Sequence, residues 1–96
     1  MYSQRPDIRL RPVPEMGQCF AYDPARPALY VLNSTTWLIL LLCATGAARD
    51  TIADRYHAEV EPLLTRQQAG QHADAAIAEL LALRLIEPDM DRRTAA

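Results

Sequence analysis

The chain contains no lysine, only three glycines and only two cysteines among its 96 residues. All ten basic residues are therefore arginines, and the net charge of -2 argues against a protein that binds polyanions in general. The longest apolar run, 37–44, is much shorter than the roughly 20 residues that a membrane-spanning helix needs. So few glycines also leave no glycine-rich phosphate loop. We therefore expect no membrane partner and no nucleotide site.

Residues suited to metal binding or catalysis are few and badly spaced. Cys19, Cys43, His57 and His72 are the candidate metal ligands, and their separations match none of the paired spacings of zinc sites. No Gly-x-Ser-x-Gly or His-Glu-x-x-His motif is present, and the clustered carboxylates have the pattern of a solvated helix face. We expect no metal, no cofactor and no enzymatic activity.

The two ends of the chain have polar residues without any period, so we expect flexible termini over 1–7 and 89–96 and one domain over 8–88. No N-terminal stretch has the features of a secretory signal, and both cysteines lie in apolar surroundings. The sequence thus indicates a cytoplasmic protein.

The first third of the domain has the pattern of strands. Alternation over 8–11 and apolar, aromatic runs over 18–22 and 28–32 predict three strands. The turn-forming sequence DPARP separates the last two runs. A hairpin preceded by one further strand is therefore expected, as a small antiparallel sheet.

Three helices are predicted after Asn33. Asn33 or Ser34 can cap a first helix over 35–44, which is apolar on every side. We expect the sheet and the other helices to cover it together. Ile52, Tyr56 and Val60 recur at every fourth position and indicate an amphipathic second helix.

The third helix begins with a capping-box signal, since Thr65 is followed three residues later by Gln68. Gly70 costs this helix about 1 kcal/mol relative to alanine, so its first turn is the weakest boundary. Strands followed by helices predict an α+β domain that resembles a winged helix-turn-helix. That shape leaves nucleic-acid binding as the alternative function. The third helix argues against it, because 69–83 has no arginine or lysine and includes Asp74 and Glu79.

The strand at 28–32 gives the strongest functional signal. It has none of the lysines, prolines or inward charges that protect natural edge strands, so it is either interior or open to a partner. Leu29 and Val31 share one face, and Tyr30 and Leu32 share the other. Alanines of the third helix make a shallow stripe that could form a groove beside this strand or simply allow close helix packing. An open strand could also pair with a second copy, so a homodimer is a further possibility.

The sequence resembles the PqqD-like proteins, which recognise precursor peptides that are made on the ribosome. The resemblance extends over 9–87 and includes the Leu-Asn ending of the third strand and an "IL-x-LC" pattern in the first helix. Apolar positions of the second and third helices also match. The residues that carry the resemblance are Leu32, Asn33, Ile39, Leu40, Leu42, Cys43, Ile52, Tyr56, Ile77, Leu80, Leu85 and Ile86. Arg84 stands where that family usually has a helix-ending glycine.

The resemblance implies a non-catalytic adaptor. In that family the leader of a precursor peptide adds as an extra strand to the third strand, beside the third helix. A modifying enzyme, often a radical SAM protein, is the second partner. Arg66 or Arg84 would meet leader carboxylates. The predicted peptide-binding residues are Leu29, Tyr30, Val31, Leu32, Ala69, Ala73, Ala76, Ile77, Leu80, Leu83, Arg66 and Arg84.

Overall fold

The computed structural model describes residues 1–44 and 46–88, and it confirms an α+β fold. Helices lie against one small antiparallel sheet, and a second, two-stranded sheet joins the two ends of the described chain. The elements in chain order are β1 (Tyr2–Gln4), β2 (Arg9–Val13), β3 (Gln18–Asp23), β4 (Ala28–Asn33), α1 (Ser34–Leu42), α2 (Arg49–Val60), α3 (Arg66–Ala82) and β5 (Ile86–Pro88).

The larger sheet has the strand order β2-β3-β4, which confirms the predicted hairpin and its preceding strand. The hairpin pairs Asp23 with Ala28 at its closed end and Gln18 with Asn33 at its open end. A short 3-10 turn at Pro14–Met16 connects β2 to β3 and ends at Gly17, whose φ of 63° is in the left-handed region that favours glycine. Every connection in this sheet is therefore a local antiparallel turn.

The N-terminus is part of the fold, which differs from the flexible segment that we expected over 1–7. β1 pairs antiparallel with β5, and the Tyr2 amide donates to the Ala47 carbonyl at 2.7 Å. Each strand has only three residues and finds its partner at the other end of the chain. Such pairing has no local pattern, so the sequence could not reveal it. The expected flexible segment 89–96 lies outside the described residues.

Local capping signals correctly predicted two helix starts. The Asn33 side-chain oxygen accepts from the Thr36 amide at 2.8 Å and so caps α1. At α3 the Gln68 amide donates to the Thr65 hydroxyl at 3.1 Å, and the Thr65 amide donates to the Gln68 side chain at 3.0 Å. Both bonds of the capping box are thus formed.

The hydrophobic core lies between the larger sheet and the helices. Ile39, Leu40 and Cys43 of the first helical segment are fully buried there, with Leu32 from β4 and Leu80 from α3. The sheet and the other helices do not cover α1 completely, however, because Leu41 keeps 47% of its surface exposed. The expectation that this helix is covered on every side was therefore wrong for one face.

Gly70 has a packing reason for its place within α3. A Cβ atom at this position would lie 3.2 Å from Nη2 of Arg49, which reaches across from the start of α2. The same guanidinium forms an ion pair with Asp74, with 2.6 Å between Nε and Oδ1. The missing side chain therefore lets Arg49 lie close to the backbone of α3.

Candidate functional site

β4 is an edge strand. It pairs with β3 on one side, and among the residues that the structure describes no strand pairs with its other side. Along an antiparallel edge, every second residue directs both its N–H and its C=O away from the sheet. No charged residue and no proline occurs within Ala28–Asn33 to block a new neighbour. The sequence left open whether this strand is interior or at an open edge of the sheet, and in the structure it is at the open edge.

The two faces of β4 differ in exposure. Leu29 and Val31 point away from the helices and keep 63% and 56% of their surface exposed. Leu32 is buried in the core, and Tyr30 is half-buried against it. The face assignment made from side-chain alternation is confirmed.

Helix α3 is hydrogen-bonded to the segments that flank β4 at both of its ends. Beyond the hairpin end, Nη2 of Arg26 donates to the Leu83 carbonyl at 3.0 Å. At the other end, the Thr36 hydroxyl donates to Oε2 of Glu79 at 3.1 Å. These two contacts connect the C-terminal half of α3 to the hairpin and to α1, and we call the space between β4 and this half of α3 the edge groove.

The wall that α3 presents to the edge groove is rotated from the predicted stripe. A cavity of about 280 Å³ at the α1 end is lined by the α3 residues His72, Ala75, Ala76 and Glu79. All of these except Ala76 are exposed. His72, Ala75 and Glu79 are not among the predicted peptide-binding residues, although they lie on one helix face at a spacing of three and four residues.

Most of the predicted alanine stripe belongs to the core instead. Five of the predicted peptide-binding residues on α3 have between 0% and 5% of their surface exposed, namely Ala69, Ala73, Ala76, Ile77 and Leu80. Their side chains pack against α1, α2 and the sheet, as expected for the alternative in which small residues allow close helix packing. Leu83, in contrast, is half-buried where α3 meets the hairpin.

The two predicted arginines lie in different places. Arg66 is at the start of α3, where its Nη1 lies 2.6 Å from Oδ1 of Asp54 on α2, away from β4. Arg84 follows the end of α3 with a φ of 60°, and it lines a cleft of about 480 Å³ together with Arg5 and Arg26. Of the two, Arg84 lies next to the end of α3 that contacts the hairpin.

A buried carboxylate ties the hairpin to the chain end. Asp23 is fully buried and accepts from the amide of Ala25 and from Nη1 of Arg5, both at 3.0 Å. Burial alone raises the pKa of the Asp23 carboxyl, but these bonds and the guanidinium of Arg26 outweigh it and hold the pKa below its usual range. Arg5 also donates to the Arg84 carbonyl at 3.0 Å. The network thereby helps to set the position of the end of α3 relative to the hairpin.

The cysteines contribute no reactive group. Cys19 and Cys43 are buried free thiols, and burial raises the pKa of Cys43 to about 11. Within residues 1–44 and 46–88, no cluster of His, Cys, Asp and Glu side chains could hold a metal ion. In the same ranges no helix has the length and apolar character to cross a membrane. The most distinctive feature of the described surface is thus the open edge.

Comparisons with known proteins give structural likeness only. No protein-family model matches the sequence, and no curated protein matches it. Two solved structures have similar folds. TbiB1, solved in complex with the TbiA(beta) leader peptide, has a TM-score of 0.71 at 14% identity over 88% of this chain and 94% of its own. A lasso peptide synthetase B1, complexed with the leader peptide, has a TM-score of 0.69 at 22% identity over 91% of this chain and 98% of its own. At these identities the chain shares their fold.

Proposed function

We propose that this protein is a non-catalytic adaptor that captures the leader segment of a ribosomally made precursor peptide. The peptide adds as a strand to the open edge of β4 and is thereby held for a modifying enzyme. The observation that carries the proposal is the uncharged, proline-free edge of β4, which leaves a row of backbone groups without partners in the described chain. Both similar structures were solved with a leader peptide bound, which supports the same role here.

Backbone groups of Ala28–Asn33 give the guest strand its register. Alternate side chains of that strand would lie beside Leu29 and Val31, and the intervening ones would enter the edge groove. There they meet Tyr30 and the exposed face of α3, rather than the buried alanines at 69 and 73. An interface of this small size is typical of binding near the micromolar range, about -8 kcal/mol.

Carboxylates of the peptide have one suitable partner at the hairpin end. The Arg84 side chain is exposed next to the hairpin end of α3, whereas Arg66 is already paired with Asp54. An exposed pair of this kind adds modest free energy, about 0 to 1 kcal/mol. We therefore assign Arg84 a role in orienting the peptide rather than in holding it.

Nucleic-acid binding is less well supported than peptide binding. The exposed face of α3 includes Asp74 and Glu79, and no arginine or lysine occurs from 69 to 83, whereas phosphate contacts need one of these residues. We place the adaptor in the cytoplasm, which agrees with two unpaired cysteines. The modifying enzyme is then the second partner.

The proposal is tested with short synthetic peptides that cover the small open reading frames next to the gene. Strand addition predicts that one peptide binds and shifts the amide resonances of Ala28–Asn33. An N-methyl scan of that peptide gives the sharper result. Methylation should abolish binding at every second position, where the amide pairs with β4, and should be tolerated at the positions between.

Two outcomes contradict the proposal. Binding that is insensitive to N-methylation, or that tolerates it without a period of two, would mean that the peptide does not extend the sheet. Salt-sensitive binding of duplex DNA without any response to the peptides would favour the nucleic-acid alternative.

A further inference from the structure

The face of the larger sheet that points away from the helices is left uncovered, and we call it the outer face. Two of the rows that its register forms across the three strands lie side by side. One row runs Arg9, Tyr22, Leu29, and the other runs Arg11, Phe20, Val31. Each row therefore passes from an arginine on β2, through an aromatic ring on β3, to an aliphatic side chain at the open edge.

The apolar part of this face is larger than water-facing sheets usually carry. Antiparallel sheets with one solvated face normally have polar side chains there. Here Tyr22, Leu29 and Val31 all keep more than a third of their surface exposed, and Phe20 is half-buried between them. A contiguous exposed apolar patch on a small protein indicates an interaction surface.

The charge of the outer face indicates which kind of partner would fit it. Arg9 and Arg11 are exposed, and no carboxylate in the described part of the chain forms an ion pair with either. Glu15 is the one acidic residue that lines the cavity of about 680 Å³ on this face. Two arginines at alternate positions of a strand leave the same face from backbone positions about 7 Å apart. A matching surface would have carboxylates beside an apolar area.

We propose that the outer face is the docking surface for the enzyme that modifies the bound peptide, and that this enzyme meets it with an apolar area bordered by acidic residues. The inference depends on the proposed function, because a guest strand on β4 would extend both rows by one peptide side chain each. An enzyme seated on the rows would contact Leu29, Val31 and the outward side chains of the guest together. Peptide and enzyme would then reinforce each other's binding.

A second copy of the chain fits this face less well. Two outer faces in contact would bring four arginines together and would supply only two glutamates to offset them. Like charges placed opposite each other disfavour such a complex. The charge pattern therefore favours a partner of different sequence.

The test uses each protein encoded in the same gene cluster, purified separately, as the probe. One of them should bind the wild-type adaptor, and its affinity should fall roughly tenfold or more in the Arg9→Glu, Arg11→Glu double variant. The corresponding double glutamine variant should fall less, and added salt should weaken the wild-type complex. Arg55→Glu, an exposed arginine on α2, is the control and should bind as the wild type does.

The same variants distinguish this inference from the proposed function. The double glutamate variant should keep its peptide affinity, because β2 is separated from the guest strand by β3 and β4. If no encoded protein binds, or if binding ignores both arginines, the docking surface is refuted while peptide capture stands. If neither the wild-type protein nor any variant binds a peptide, the proposed adaptor function is refuted instead.

Discussion

A single charge at the open edge should separate peptide binding from folding. In Val31→Asp, a carboxylate replaces an aliphatic side chain that is 56% exposed in the free protein. Fully burying a valine contributes about 1.5 to 3 kcal/mol, so the guest strand can gain about 1 kcal/mol by covering the exposed half. The aspartate forfeits that gain, and covering a polar group without a partner costs at least about 1 kcal/mol more. The expected loss is about 2 kcal/mol, or roughly a 30-fold weaker complex.

The fold should tolerate this change. Val31 lies outside the hydrophobic core, and an aspartate in a strand costs up to about 1 kcal/mol in β propensity. Leu41→Asp is the matched control, because Leu41 is an aliphatic side chain of similar exposure, 47%, on α1. Anisotropy of a labelled peptide measures the affinity, and thermal denaturation followed by circular dichroism measures the stability. Equal losses of affinity in the two variants, or unfolding of Val31→Asp, would refute the reasoning.

Three further changes test the framework of the site. Asp23→Asn should lower the free energy of unfolding at pH 7, and the difference from wild type should shrink as the pH falls below about 4. Urea denaturation of both proteins at pH 7 and at pH 3 measures this difference. The reason is that a carboxyl with a depressed pKa stabilises the fold above its unfolded pKa and loses this effect on protonation, so an unchanged difference would contradict the assignment. Arg84→Gly should raise the Tm by roughly 3 to 6 °C. The left-handed backbone conformation costs an L-residue about 1 to 2 kcal/mol, and glycine removes this cost but adds an entropic cost of about 0.5 to 1 kcal/mol. A lower Tm would contradict this prediction. Cys43 should not react with a thiol reagent at pH 8 until the protein is denatured, because burial keeps the thiol protonated and inaccessible, and rapid native labelling at Cys43 located by mass spectrometry would contradict this.

The sequence predicted those features of the fold that depend on near neighbours. The caps at Asn33 and Thr65 depend on contacts three residues away, and the strands have their own alternation. The pairing of Tyr2–Gln4 with Ile86–Pro88 depends on residues at opposite ends of the chain, so no local pattern indicated it. Prediction therefore succeeded where the determining contacts were close in sequence.

The same distinction explains the outcome at the candidate site. Alternation fixed the faces of β4, so the exposure of Leu29 and Val31 followed from the sequence. The rotation of α3 depends on how it packs against α1 and α2, and small residues gave no indication of which stripe faces inward. Ala69 and Ala73 were consequently assigned to the groove, although the helix presents His72 and Ala75 there instead.

The pairing of β1 with β5 also brings the two ends of the described chain to one corner, with Tyr2 directly opposite Pro88. Arg5 connects that corner to Asp23 at the turn of the hairpin. A catalytic module fused at either end by a flexible linker would thus be tethered at nearly the same distance from the start of β4. A short flexible linker gives the fused module an effective concentration in the millimolar range at the bound peptide. The end at which the module is fused would therefore change this concentration little, whereas the length of the linker would change it strongly.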